Sequence, residues 1–306
     1  MASLVILGAS GFVGRAVLAA PGLPMPVTAV SRASMCVPQL PQQAVRCLRA
    51  DLLIPGSLDE VLEPGDVVAN LAYGINASEA DNVKLIGHVV AACLRRRVAR
   101  LVHCSTAMVA GKTSETRVVE STVCVPRTAY ERTKWTVEQR VLGAVAEGLD
   151  AAILRPTVIV GPGGRNLVKL ADALRSGNPF VNYSRASLFG TRAMHLVPVR
   201  TVAAALLHVA TLGTPAGGSI FNVSADEDPD NNFRSVETVL RESLGLSPRR
   251  LPLLPVPASA LALLLRMRGR SDTDIARIYD SQKLFDTGFR PPESVVQAVR
   301  GFGASL

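Results

Sequence analysis

A chain of 306 residues that is 48% hydrophobic and 19% charged can bury a large core, which excludes a disordered chain and suits one large domain or two closely joined ones. Its formal charge of +8 favours anionic partners, yet only 4% of the residues are aromatic, so the basic clusters at 95–97, 249–250 and 266–270 lack stacking platforms and nucleic-acid binding is not expected. Five cysteines without a C-x-x-C pair and four scattered histidines predict reduced thiols, no metal site and a cytoplasmic protein.

The first apolar run, 3–7, reads as a buried strand. No basic region precedes it, so it is not expected to be a signal peptide. LVILGASGFVG joins that strand to a helix over about 12–20 through Gly8, Gly11 and Gly14. A glycine turn at this place lets backbone N–H groups approach a pyrophosphate. The spacing is G-x-x-G-x-x-G, and three glycines alone would equally suit a structural turn. The next strand, 27–31, ends in Ser31 and Arg32, where a dinucleotide fold would carry an acid for the adenosine ribose. A hydroxyl and a guanidinium suit a 2′-phosphate instead, so the pair predicts NADP(H), with NAD as the alternative if Arg32 is a solvated surface charge.

A helix-like stretch at 57–62 and a strand at 67–72 follow. The helix predicted over 82–97 ends in arginines that offset its dipole. Strand 100–104 runs into HCSTAMVAG, which places Ser105 and Thr106 at a strand's C-terminal end, where open α/β sheets bind ligands. Thr128 and Glu131 form a T-x-x-E capping box that starts a helix over 129–147. Tyr130 and Lys134 share one face of that helix, and a nearby ammonium is expected to lower the phenol pKa. Y-x-x-x-K is common by chance; a threonine hydroxyl upstream and a glycine turn make it a catalytic candidate. A strand at 151–154 completes an alternation that predicts a Rossmann-type, doubly wound parallel sheet in an α/β fold.

After GPGG at 161–164 the rhythm changes. The chain is expected to leave the sheet near 161 and return near 195, with a helix at 200–210 and a strand at 219–224. Residues 1–160, joined by 195–224, would form the nucleotide-binding body, and 161–194 with 225–306 a smaller substrate lobe. Arg185 and Arg192 are candidates for substrate phosphates, and Arg270 is a weaker one. His195 has no such support and reads as structural. The greasy stretch 251–265 is too short and proline-broken to span a bilayer.

Together these motifs resemble the extended short-chain dehydrogenase/reductase family, the nucleotide-sugar epimerase, dehydratase and reductase group. GASGFVG is similar to its glycine motif, which implies cofactor contacts at Gly8, Ser10, Gly11, Phe12, Val13 and Gly14. The resemblance extends the cofactor site to Ser31, Arg32, Asp51, Leu52, Leu71, Ala72, Tyr73, Tyr130, Lys134, Pro156 and Val158. It makes Thr106, Tyr130 and Lys134 catalytic, with Thr106 also contacting substrate. Ala107 and Met108 stand where the dehydratases carry Asp-Glu, and Met108 stands where bifunctional reductases carry a cysteine. Val158 and Thr201 replace an asparagine and an aspartate of the family pattern.

Two enzyme readings share this machinery: an NADPH-dependent ketoreductase for a nucleotide-diphosphate 4-keto-6-deoxysugar, and an NAD-dependent 4-epimerase. Arg32 favours the reductase, because an NADPH pool drives reduction. A non-catalytic NADPH-binding regulator is the third reading. The resemblance also implies a homodimer built on the helices at 82–97 and 129–147.

Overall fold

The computed structural model describes residues 2–32, 45–249 and 277–306. Arg270 and the apolar stretch 251–265 lie outside the described residues. Seven strands form one sheet: β1 (Leu4–Leu7), β2 (Val27–Ser31), β3 (Val45–Arg49), β4 (Val67–Asn70), β5 (Arg100–Cys104), β7 (Ala151–Pro156) and β10 (Ser219–Val223). Their order is β10-β7-β5-β4-β1-β2-β3, and all six pairings are parallel. Such a sheet needs cover on both faces.

Alternation along β1 supplies it. Leu4 and Ile6 enter one core, with Val17 of α1 (Phe12–Leu18) and Val202 and Leu206 of α6 (Val199–Ala210). Val5 and Leu7 enter the opposite core, with Ile86 and Val89 of α2 (Glu79–Arg96) and Val137 and Val141 of α3 (Ala129–Ala146). Each such side chain contributes roughly 1.5–3 kcal/mol on full burial. The fold is therefore the doubly wound α/β architecture expected from the sequence.

One local expectation fails and one strand goes unforeseen, each for a physical reason. Residues 57–62 form turns, not a helix, although Leu58, Val61 and Leu62 are buried at helical spacing. Pro55-Gly56 and Pro64-Gly65 bracket the stretch, and Gly56 and Gly65 sit at φ +77° and +87°. β3, by contrast, has no apolar run; it is a mostly solvent-facing edge strand.

Between β8 (Val158–Val160) and β9 (Leu196–Pro198), which pair in parallel, lie α4 (Val168–Ser176) and α5 (Pro179–Phe189). Leu167, Ala171 and Leu174 pack with Val236 and Leu240 of α7 (Phe233–Ser243) and with Val299 and Phe302 of α9 (Val295–Ala304). This third core is separate from those of the sheet. The intervening α8 (Gln282–Asp286) instead sends Leu284 into the sheet's first core, alongside Phe289.

The remaining short strands, β6 (Arg117–Val118) and β11 (Ile278–Tyr279), pair in parallel beside the sheet. His195 joins this region: its Nδ1 lies 2.7 Å from the Asp226 carboxylate, which also accepts the Tyr279 N–H at 2.8 Å. No described helix is long and apolar enough to cross a membrane.

Candidate active site

The glycine turn is a close-packed device. Gly8 has φ +81°, and a Cβ there would stand 2.9 Å from the Ala72 nitrogen. A Cβ on Gly14 would stand 2.6 Å from the carbonyl oxygens of both Gly8 and Ala9. Gly11 caps α1 without a side chain, so nothing of its own blocks the approach to the helix start.

Beside this turn lies a cavity of about 260 Å³. Its walls include Gly8, Ser10, Gly11, Ser31, Arg32, Asp51, Leu52, Leu71, Ala72 and Tyr73, ten of the expected cofactor residues. Ser31 is buried and Arg32 exposed at the tip of β2. Arg49 Nε donates to the Arg32 carbonyl oxygen at 2.9 Å, which brings a second guanidinium to the same tip. Sequence reasoning missed Arg49 because it ends the edge strand that had no apolar signal. Asp51 spends one carboxylate oxygen on the Leu53 N–H at 3.0 Å. These walls can hold the adenosine end of a dinucleotide, with cations where a ribose-binding acid would stand.

Other expected cofactor residues lie elsewhere. Phe12, Val13 and Gly14 belong to α1, and the Phe12 ring lines a separate cavity of about 740 Å³ between α1 and α6. Pro156 ends β7 and Val158 begins β8, outside the walls of the smaller cavity. Arg185 lies within 3.5 Å of Asn182 Oδ1, and the Arg192 guanidinium covers the Phe189 ring at 5.8 Å. Both belong to the α5 region, and neither lines the dinucleotide cavity. A larger cavity of about 890 Å³, walled by Asp226, Asp228, Tyr279 and Arg290, holds none of the expected residues. The expected cofactor residues thus gather at the smaller cavity beside the glycine turn.

Lys134 and Tyr130 are fixed by the start of α3. The capping box forms as expected: Glu131 N–H donates to Thr128 Oγ1, and Thr128 N–H to Glu131 Oε2, both at 3.2 Å. Tyr130 remains 40% exposed, while Lys134 four residues on is buried. Lys134 Nζ donates to the Cys104 carbonyl oxygen at 3.1 Å and lies 4.5 Å from the centroid of the Tyr73 ring. The Tyr73 ring meets that of Tyr130 edge-on at 5.7 Å. Thr106 is buried, caps the short helical turn at 107–110, and stands close enough to Tyr130 for its hydroxyl to pull the phenol pKa down. The three expected catalytic residues are thus brought together, and Tyr73 joins them.

The electrostatics differ from expectation. Burial raises the Tyr130 phenol above its ordinary pKa, and the Thr106 hydroxyl pulls only partly the other way. The Lys134 ammonium itself faces the Cys104 carbonyl oxygen and the Tyr73 ring. Burial lowers the Lys134 pKa, and it lowers that of His103, next to Cys104 on β5, well below the usual imidazole range.

The loop that carries Tyr73 is clamped. Asn70 Oδ1 accepts the Ala72 N–H at 3.1 Å, and Asn70 Nδ2 meets His103 Nδ1 at 3.1 Å. Asn82 Oδ1 accepts the Gly74 N–H at 2.9 Å, and its amide nitrogen returns to the Gly74 oxygen at 3.1 Å. Asn82 could have been noticed: it is a polar residue on the same α2 stripe as Ile86, Val89 and Val90.

The model of the NAD dependent epimerase/dehydratase family matches residues 4–224. Over 107 residues the chain is 36% identical to a dTDP-4-keto-6-deoxy-D-glucose reductase of Streptomyces niveus, which covers 35% of this chain and 33% of that protein. It is 38% identical over 104 residues to a 2-alkyl-3-oxoalkanoate reductase of Stenotrophomonas maltophilia (strain K279a), covering 31% of each. The chain thus spans about a third of the length of these curated relatives. The structure of RMD from Pseudomonas aeruginosa complexed with NADPH superposes with a TM-score of 0.67 at 20% identity, over 100% of this chain and 98% of that one, a likeness of fold.

Proposed function

Because the chain belongs to the NAD dependent epimerase/dehydratase family, we propose that it is an NADPH-dependent ketoreductase whose substrate is a nucleotide-linked keto-sugar of the 4-keto-6-deoxyhexose type. The observation that carries the reductive reading is the placement of Arg32 and Arg49 beside the buried Ser31 at the tip of β2, cations that suit the 2′-phosphate of NADPH. A reduction also needs a proton donor, and the Tyr130 phenol, raised above its ordinary pKa by burial, is in the acid form that can serve. The cofactor choice is supported by Ser31, Arg32 and Arg49 at the tip of β2. NADPH, when bound, supplies the hydride.

The chain's own residues do the rest. The glycine turn and the cavity walls orient the dinucleotide. Thr106 bonds the ketone oxygen, and Tyr130 gives its proton to that oxygen as it gains charge. Lys134 then favours the phenolate left behind and bonds the nicotinamide ribose. The substrate lobe is assigned to the described residues of 161–194 and 225–306 outside the sheet's first core, a reading supported by the third core around Leu174, Leu240 and Phe302. Within it Arg185 and Arg192 are assigned to the diphosphate.

Arg32→Ala tests the cofactor assignment. The preference for NADPH over NADH in binding should fall about 10- to 100-fold, the worth of a charge-assisted contact, with a residue of preference left by Arg49. An unchanged preference would make Arg32 a surface charge.

A second substrate class is favoured by one observation. Met108, Val123, Val125 and Tyr130 are 47%, 74%, 47% and 40% exposed, and the Val125 N–H bonds the Ala110 oxygen, which ties that segment to the Thr106 turn. An apolar approach of this kind suits an acyl ketone, the class named for the Stenotrophomonas relative. Rates of NADPH consumption with a keto-sugar nucleotide and with a 2-alkyl-3-oxo acid separate the two classes.

A further inference from the structure

We propose that Tyr73 is a gate over the nicotinamide-ribose subsite: its ring covers the Lys134 ammonium in the free protein and must leave before the cofactor's ribose can bond that lysine. This inference rests on the dinucleotide reading of the site above.

Three observations carry it. First, the cavity at the glycine turn includes Tyr73 among its walls but not Lys134, Tyr130 or Thr106. Tyr73 is also the wall residue whose ring meets Lys134 and Tyr130. At about 260 Å³ the cavity falls below the usual range for ligand sites and has room for only part of a dinucleotide.

Second, Lys134 is 5% exposed. On one side Nζ is held by the Cys104 carbonyl oxygen at 3.1 Å, which belongs to the sheet and cannot yield. On another the Tyr73 ring stands 4.5 Å away, too close for a sugar to lie between them. The lowered Lys134 pKa agrees with an ammonium sealed from water.

Third, the backbone on either side of Tyr73 is fixed. Ala72 is bonded to Asn70 and packed under Gly8, while Gly74 is bonded twice to Asn82. The freedom left to the segment is rotation of the Tyr73 side chain, which is half-buried. The closed position is held by the contact with the ammonium and by the edge contact with Tyr130. Both are lost on opening, and the free protein therefore binds the nicotinamide half less tightly than an ungated site would.

Calorimetric titration of wild type, Tyr73→Phe and Tyr73→Ala with NADPH and with 2′,5′-ADP tests the gate. The second ligand lacks the nicotinamide half and checks that the adenosine end is intact. Tyr73→Ala should bind NADPH roughly fivefold tighter or more, with 2′,5′-ADP unchanged, and Tyr73→Phe should match wild type. Equal or weaker NADPH binding by Tyr73→Ala, with 2′,5′-ADP unchanged, would overturn the gate.

Should Tyr73→Ala lose 2′,5′-ADP as well, a crystal structure of the wild-type NADPH complex decides. The gate requires the ring to have left Lys134, and a ring still over Nζ contradicts it. Wild type that binds neither NADPH nor NADH would remove the dinucleotide reading itself. Binding with the ring in place would remove only the gate.

Discussion

Tyr130→Phe is expected to lower kcat/KM for ketone reduction by about 10²- to 10⁴-fold while leaving NADPH affinity unchanged, because it removes the proton donor and keeps the ring. The pH dependence follows from the direction of the phenol's shift. Burial holds the Tyr130 pKa above the ordinary value of about 10, so the acid form needed for reduction is present throughout the neutral range. Reduction by the free enzyme should therefore show no alkaline loss from this group below about pH 10. The reverse oxidation needs the phenolate and should climb with pH. Both features should vanish in Tyr130→Phe. A variant that keeps wild-type kcat/KM would remove Tyr130 from the chemistry.

Arg155→Met should destabilise the fold strongly. Arg155 on β7 and Glu138 on α3 are 3% and 0% exposed, and their closest contact is 2.7 Å. The Arg155 Nη1 also reaches the Glu120 oxygen at 3.5 Å, and its guanidinium lies 5.8 Å from the centroid of the Trp135 ring. Removing the cation leaves Glu138 charged and buried, which costs about 3–5 kcal/mol. The pair also fastens α3, and with it Tyr130 and Lys134, to the sheet, so activity should fall with stability. The double variant Arg155→Met, Glu138→Leu should recover most of the loss, since well-packed apolar residues can replace a buried ion pair. Denaturant unfolding of the two variants measures both effects. A single variant within 1 kcal/mol of wild type, by the usual scale of surface changes, would show that the pair carries little.

How much of this was legible depended on whether a feature is local. The strands at 4–7, 27–31 and 100–104 and the helix start at Thr128 follow from short-range patterns, and the structure places them where those patterns put them. β3 was hidden because an edge strand with solvated side chains has no apolar run. The turns at 57–62 mimic a helix in spacing, and only their proline and glycine brackets betray them.

The site divides in the same way. Thr106, Tyr130 and Lys134 sit at recognisable spacings. The ring of Tyr73 over Lys134 joins the ends of β4 and α3, a contact between residues 61 positions apart that no spacing encodes.

The most direct test of the central claim is a turnover with NADPH deuterated at C4, on each face in turn, and a nucleotide-linked 4-keto-6-deoxyhexose, with the product read by mass spectrometry and NMR. The ketoreductase account predicts that NADPH is consumed mole for mole and that one of the two labels appears at the new carbinol carbon. No consumption of NADPH and no deuterium in the product would contradict it, and interconversion of the corresponding 4-hydroxy sugar epimers with retained NAD⁺ would point to an epimerase that recycles its own cofactor.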